Sequence, residues 1–384
     1  MSEYQYYEFL AMERPLSAAE TGALRAISSR ARITPVSLVN EYQWGDFKGN
    51  PLELMKRFFD AHIYLANWGS ATFMVRLPLA ALDRETAKAF AVAGILEAEA
   101  TKTHWVIGWH LDESEDYERF GMEDGTGWMA RLSPLRDELL RGDLRGLYIG
   151  WLAAMSNCEE DDDELEPLLP EGLGKLTPAQ QALAEFLDVD EDLLIAVGMG
   201  APDLKADVAS QDKLDAWFDG LPREEVRELL KQLLSGQGAQ AERQLKNNFH
   251  AWRSRDGKTG NRENRRTLGQ IRDQVGKAKE IRLRREQKAR EQTEATRRKR
   301  HETELCKLAE NFPRAWQTAS RQAERGSGLA YDEVCQALAD LAEAYSLHMN
   351  REAFNREMET FMARHGKQKA LVQRLVKARL WREV

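Results

Sequence analysis

The sequence predicts an N-terminal α+β domain followed by mainly α-helical domains, with a long basic helix joining the last of them, so the chain is mostly α overall. Three observations support this. Residues 1–112 mix strand and helix patterns, and residues from 127 onward place apolar side chains three and four apart. Residues 241–300 contain 20 Lys and Arg against 8 Asp and Glu. At 384 residues the chain also exceeds what one hydrophobic core usually organises.

The first domain, predicted over residues 1–120, alternates strands with short helices. Tyr4 to Phe9 has strand composition, and Ser17 and Glu20 have the spacing of a capping box that opens a helix to about Ile27. Strands are also predicted over 36–42, 63–68, 71–77, 96–99 and 103–111, and helices over 52–62 and 83–92. The mixed order indicates an α+β domain and leaves a ferredoxin-like arrangement open.

The second domain, predicted over residues 121–240, is helical and acidic. Residues 151–240 hold 21 acidic and 6 basic side chains, a net charge of −15. The acidic run from Glu159 to Glu164 is typical of a solvated linker, with capture of a cation or a basic partner as the alternative. Helices are expected over 128–140, 144–155, 177–187, 193–197, 211–218, 223–234 and 239–252.

Residues 241–303 form the predicted basic connecting helix, which has two halves. A docking stripe of Leu268, Ile271, Val275 and Ile281 recurs at helical spacing in the first half. The second half supplies the predicted contacts to nucleic acid or a partner: Arg282, Arg284, Arg285, Lys288, Arg290, Arg297, Arg298, Lys299 and Arg300. Three interpretations stay open: nucleic-acid binding, docking on the acidic neighbour or on a partner, and a solvated spacer.

The last domain, predicted over residues 304–384, is a bundle of helical hairpins. Strong amphipathic spacing returns from Leu305, and glycines at 326 and 328 punctuate it. The pattern is similar to that of tetratricopeptide-type modules, although no full repeat recurs. Such a module favours protein–protein interaction.

Several segments of residues 1–250 resemble an uncharacterised bacterial protein family. They are Tyr4 to Phe9, Ala31 to Pro35, Asn40 to Asp46, Tyr64 to Gly69 and Phe186 to Val197. The tail, around 330–334 and 362–371, resembles the C-terminal helices of bacterial SWIM zinc-finger proteins. This chain departs from the second family because it has no CxC with a following CxH, so the resemblance does not imply zinc binding. Both resemblances bear on the fold and leave the function open.

Two constellations are candidate sites. His104, His110 and Asp112 share one face of a predicted strand and supply the atoms of a metal or acid–base site, although two half-exposed histidines among Trp105 and Trp109 are the favoured explanation, since no further ligands are evident. Trp44 and Trp68, each followed by glycine, are groove candidates for nucleic-acid bases or an aromatic ligand, with packed corners as the alternative.

Two cofactor motifs fail on spacing, and we expect no cofactor or bound metal. The P-loop ending at Gly257, Lys258 and Thr259 has Trp252 where a glycine is required, and the calcium-loop pattern beginning at Asp188 has Leu193 at its glycine position. Helix capping explains those aspartates better. The three cysteines, Cys158, Cys306 and Cys335, lack CxxC spacing and are expected to be buried or half-buried thiols.

The leading functional hypothesis is a non-catalytic adaptor or scaffold that joins a protein partner, with nucleic acid as a further partner. The alternatives are a direct nucleic-acid-binding protein and a metal-dependent nuclease or hydrolase component. No run of 18 apolar residues and no basic-then-apolar N-terminus occurs, so we expect a cytoplasmic chain without a membrane partner. Whether a small-molecule ligand binds is left open by the sequence.

Overall fold

The computed structural model describes residues 4–112, 125–156, 162–203, 211–238, 241–242, 244–246, 248–249, 252 and 265–382, with backbone only for 211–213. Two compact units divide the chain, Met1–Arg282 and Leu283–Val384. The four-part division proposed from the sequence stays a prediction. One hydrophobic core nevertheless contains side chains from both of its first two parts, on either side of residue 120.

Seven strands form one antiparallel sheet in the first unit. They are β1 (Gln5–Leu10), β2 (Arg32–Thr34), β3 (Ser37–Tyr42), β4 (Ala61–Ala66), β5 (Ala71–Pro78), β6 (Leu96–Ala100) and β7 (His104–Leu111), in the order β2-β3-β1-β4-β5-β7-β6. Helices α1 (Ala18–Ile27), α2 (Pro51–Arg57) and α3 (Arg84–Phe90) connect them. The series β1-α1-β2-β3-α2-β4, with strand order β2-β3-β1-β4, is the ferredoxin-like βαββαβ pattern. The remaining three strands extend that pattern on one side.

Local sequence signals set most of these boundaries. The capping box between Ser17 and Glu20 is present and opens α1, which ends at the predicted Ile27. The predicted helix 52–62 is too long, because α2 ends at Arg57 and His62 lies inside β4. Strand pairing overrides helix propensity there, since His62 lies opposite Phe9 on one side and Met74 on the other.

Helices cover both faces of the sheet. Side chains of α1 and α2 pack against Tyr7 and Phe9 on one face. The opposite face, which includes Phe73 and Trp109, packs against a second group of helices. These are α4 (Trp128–Leu132), α5 (Pro134–Leu140), α6 (Arg145–Ser156), α7 (Pro178–Phe186) and α8 (Glu191–Met199). The predicted helix 128–140 is split, because Pro134 opens α5 and cannot donate a backbone hydrogen bond.

Two further helices and a partly described segment follow in the first unit. They are α9 (Gln211–Asp219) and α10 (Arg223–Leu234), and the described residues between 241 and 252 are also helical. The rings of Trp217 and Phe249 lie 5.2 Å apart, so this segment packs on α9. Then α11 (Leu268–Arg272) precedes the long helix α12 (Val275–Ala309), which crosses the division between the units.

The second unit is a helical bundle. After α12 come α13 (Phe312–Glu324), α14 (Gly328–His348), α15 (Arg351–His365) and α16 (Lys369–Lys377). Trp316 lies in its core, with Nε1 donating to the Tyr345 hydroxyl at 3.3 Å. Cys335 is half-buried as expected, but Cys306 is exposed, which corrects the prediction of a covered thiol; Cys158 lies outside the described residues.

The architecture agrees with the predicted fold class. An antiparallel sheet region at the N-terminus is followed by helices through the rest of the described chain. Over the same described ranges, no helix is both long enough and apolar enough to cross a membrane.

Candidate functional site: the basic segment

From residue 265 onward, the basic region pairs with an acidic stretch, residues 162–166, that precedes it by about a hundred residues. An antiparallel bridge joins Leu165 to Thr267, and the backbone N–H of Glu166 donates to the Arg266 carbonyl at 2.9 Å. Thr267 then opens α11 through a capping box with Gln270. The described end of the acidic run, 162–164, keeps its side chains exposed, while its backbone is held to this segment: the Gly269 N–H donates to the Asp162 carbonyl at 3.0 Å.

The predicted docking stripe lies against the first unit's core. Leu268 and Ile271 are buried there, as is Ala278 one turn after Val275, which is partly buried against the same core. Ile281, the last stripe residue, is half-buried. The stripe thus meets the chain's own acidic helical region, which is one of the interpretations that the sequence left open.

Three ion pairs join residues 266–282 of the basic region to acidic residues of the first unit. The Arg266 guanidinium holds the fully buried Glu166 carboxylate at 2.9 Å, Arg272 reaches Asp162 at 2.6 Å, and Arg282 reaches Asp192 at 2.7 Å. The pKa of Asp192 is lowered, chiefly by its hydrogen bond from Arg282. Arg282, predicted to contact nucleic acid or a partner, is therefore held by a carboxylate of its own unit.

The sequence reasoning missed Arg266 and Arg272 as anchors. The opposite charges of residues 162–166 and 265–272 were a usable signal, because two such runs at the edge of one core attract each other. The pairing could not be assigned from sequence, since many other charges flank both runs.

The cations in the second half of the basic region, residues 284–300, make no ion pair with the rest of the described chain. There are eight of them, all exposed: Arg284, Arg285, Lys288, Arg290, Arg297, Arg298, Lys299 and Arg300. Within the described ranges, none of these eight side chains takes part in an ion pair. Glu291, one of three acidic residues in this stretch, accepts instead from the Gln287 amide at 2.9 Å. Residues 284–300 are hereafter called the basic segment.

The histidine constellation is not assembled into one site. His104 and His110 face the same way on β7 but are six residues apart, which in an extended strand is roughly 20 Å. The Thr103 hydroxyl lies 2.7 Å from Nδ1 of His104, and the Thr72 hydroxyl lies 3.2 Å from Nδ1 of His110. Burial lowers the pKa of both imidazoles. Asp112 follows β7 and is exposed.

No metal centre emerges from the described part of the chain, where no group of three or more His, Cys, Asp or Glu side chains is placed to hold an ion. A third histidine that the sequence reasoning missed, His62, lies on the same sheet face. It is fully buried and stacks on Phe9 with ring centroids 3.9 Å apart. Burial lowers its pKa to about 3, so His62 is neutral and belongs to the core.

The two tryptophan turns flank the start of β1. The Gln5 side-chain amide donates to Asp46 at 3.0 Å, next to Trp44, and the Tyr4 N–H donates to the Asn67 side chain at 3.1 Å, next to Trp68. Trp44 is 70 % exposed and Trp68 is half-buried. The structure brings both turns to one end of the sheet, and their use as a groove stays a prediction.

The rejected motifs have structural explanations where they are described. Asp190 caps α8 by accepting from the Leu193 N–H at 2.9 Å, as the capping interpretation predicted. Gly257, Lys258 and Thr259 lie outside the described residues.

Comparison with protein-family models, curated proteins and solved structures found no match, so the two family resemblances stay predictions.

Proposed function

We propose that this chain is a non-catalytic adaptor that binds a polyanion through the basic segment and a protein partner through its C-terminal bundle. The observation that carries the proposal is the division of the basic region. Arg266, Arg272 and Arg282 are paired with carboxylates of the first unit, whereas the eight cations of residues 284–300 are exposed and, within the described ranges, unpaired. The second group is available to an external anion.

The phosphate backbone of nucleic acid is the favoured polyanion. Residues 284–300 form part of a continuous helix, so the cations extend over roughly 25 Å. Such a row neutralises successive phosphates and releases their counterions whatever the base sequence. The segment contains no aromatic residue, which favours contact with the backbone over stacking on unpaired bases. Direct nucleic-acid binding without a protein partner is the second candidate, supported by the same eight residues.

Exposed apolar side chains support the partner role of the bundle. Leu329 is 76 % exposed at the start of α14, and Leu347 and Met349 are more than half exposed at its end. Interface cores are enriched in methionine and depleted of charge relative to ordinary surface. These positions are therefore the ones to change when the protein partner is sought.

The test is a salt series of binding to a labelled duplex, measured by fluorescence anisotropy. If all eight cations meet phosphates, the logarithm of affinity should fall with the logarithm of salt concentration with a slope of about −7. Reversing four of them, in R284E/R285E/R297E/R298E, should make that slope shallower by about 3 to 4 and weaken binding at least a hundredfold. Binding that does not change with salt would contradict the proposal.

A matched control separates the segment from general charge. The variant R321E/R325E/R356E/R364E reverses four exposed arginines of the C-terminal bundle and leaves the basic segment intact. Its affinity should fall far less than that of the first variant. Affinity capture from host extract, with and without nuclease, then distinguishes the candidates: partners that survive nuclease support the adaptor, and their complete loss supports direct nucleic-acid binding.

A further inference from the structure

A donor-rich pocket lies at one end of the sheet in the first unit. It has a volume of about 430 Å³, which is within the range of small-molecule sites. Its walls come from the loop after β1, the end of α2, the end of β5, the start of β7 and the segment near residue 246. Its polar lining includes Arg14, Lys56, Arg57, Arg76, Thr103 and His104.

The lining carries four cationic side chains and one carboxylate. That carboxylate, Glu13, is already bound by the buried Arg136 guanidinium. Three of the cations are fixed by acidic residues that do not line the pocket. Arg14 is held by Glu20 at 2.6 Å, and Lys56 by Glu99 at 2.7 Å. Arg76 is held at 2.7 Å by Asp60, which is buried. These three side chains are therefore held in place, but their charges are compensated and most of the N–H groups of Arg14 and Arg76 are already used.

Arg57 differs from the other three cations. It is exposed at the end of α2, and its guanidinium lies over the Phe58 ring, 4.6 Å from the centroid. Across the part of the chain that the structure describes, Arg57 has no carboxylate partner. An arginine in this state can offer two parallel N–H groups to an oxyanion without breaking an existing pair.

His104 adds a neutral donor. The Thr103 hydroxyl lies 2.7 Å from its Nδ1, while Nε2 has no hydrogen-bond partner among the described residues. Burial, followed by the charge of Arg76, lowers the pKa of His104, which keeps the ring neutral at pH 7. Gln244 and Asn248, whose side chains carry amide groups, also line the pocket.

We infer that this pocket binds a phosphate group, with Arg57 as the residue that pairs with its charge and His104 as a supporting donor. A phosphate offers several acceptor oxygens to the surrounding N–H groups, and arginine matches its geometry in a bidentate manner. The group could belong to a free nucleotide or to the phosphorylated end of a nucleic acid. The inference is independent of the basic segment, since the two sites share no residue.

Calorimetric titration of the full-length protein with orthophosphate tests the inference. The expected result is saturable binding at one site per chain, weakened at least tenfold by R57E and less by R57K, which keeps a positive charge. Both variants should fold, because Arg57 is exposed. R84E, which reverses an exposed arginine at the start of α3, is the matched control and should bind within twofold of the wild-type protein.

A second titration identifies the source of the phosphate. It uses R284E/R285E/R297E/R298E, in which the basic segment cannot contribute, with a nucleoside monophosphate and with a hexanucleotide carrying either a 5′-phosphate or a 5′-hydroxyl. Tighter binding of the nucleoside monophosphate than of either strand supports the inference and identifies a free nucleotide as the source, whereas tighter binding of the 5′-phosphate strand than of the 5′-hydroxyl strand supports it and identifies a nucleic-acid end. Binding of neither phosphate monoester more tightly than the 5′-hydroxyl strand, absence of saturable orthophosphate binding, or an R57E affinity for orthophosphate equal to that of R84E would overturn it.

Discussion

Glu166 and Arg266 form an ion pair whose carboxylate has no exposed surface. Nε and Nη2 of Arg266 both lie 2.9 Å from its oxygens, and the Tyr148 hydroxyl donates to the same carboxylate at 2.6 Å. A charge enclosed in this way depends on its partner, because removing one member leaves the other buried and uncompensated. The pair thus fixes the point at which the basic region joins the first unit.

We therefore expect R266M to lower the free energy of unfolding by about 3–5 kcal/mol. The double variant E166L/R266M should recover most of that loss, since no charge remains buried. Urea unfolding followed by tryptophan fluorescence measures both. Equal losses in the single and double variants would show that packing, and not the unpaired carboxylate, determines the effect.

His62 predicts a specific pH dependence. Its folded-state pKa of about 3 lies below the ordinary value of 6.5, so between these values the unfolded chain binds a proton that the folded chain does not. Stability is therefore fully present above pH 6.5 and falls as the pH drops toward 3, by at most about 1.4 kcal/mol per pH unit. Urea unfolding of the wild-type protein and H62F at pH 7, 6 and 5 should show this term only in the former. Parallel pH profiles would contradict it.

Gly150 is a position where no side chain fits. A Cβ there would lie 2.6 Å from Cδ1 of the buried Trp109 ring and 3.1 Å from Leu96. G150A should therefore destabilise the first unit by about 1–3 kcal/mol. Gly22, in α1, has open space around the same position, and G22A should stabilise by about 0.5–1 kcal/mol. Thermal unfolding of the two variants should shift in opposite directions, and shifts of the same sign would refute the packing argument.

The pair between Arg282 and Asp192 should control local opening of the helix that contains it. Both side chains are partly accessible, so the pair should contribute at most about 1 kcal/mol. Hydrogen exchange at residues 275–282 should then rise up to about fivefold in R282A, whereas R284A, which breaks no ion pair among the described residues, should leave it unchanged. The reverse order of effects would place the anchor elsewhere.

Much of the fold was predictable, because its signals are local. Ser17, Thr177 and Asp190 each cap the helix that their spacing predicts, and the alternating apolar residues of β1 divide between the two faces of the sheet. The error at His62 arose because strand pairing with β1 and β5 depends on residues distant in sequence. No local pattern reports such competition.

The sequence predicted which residues form the basic region, but it did not predict which of its cations are ion-paired and which are exposed. Helical spacing identified Leu268 and Ile271 as a stripe, yet nothing local distinguishes Arg282, which is paired, from Arg284, which is exposed. The pocket was missed for the same reason: Arg57 and His104 are 47 positions apart, and only the folded sheet brings them to one wall. Whether each charged side chain is ion-paired or exposed depends on residues that are distant in sequence.

The contacts of Arg266 also bring together the two ends of one stretch of the first unit, residues 203–265. Nη1 of Arg266 lies 3.2 Å from the Val197 carbonyl, and the Pro202 carbonyl accepts from the Gly172 N–H at 2.8 Å, so the chain leaves and re-enters the core at neighbouring points. The ends of residues 203–265 are thus held together by contacts outside that stretch. Because lengthening a closed loop costs little free energy, insertions in this stretch away from the pocket residues Gln244 and Asn248 should leave the sheet and α11 in place.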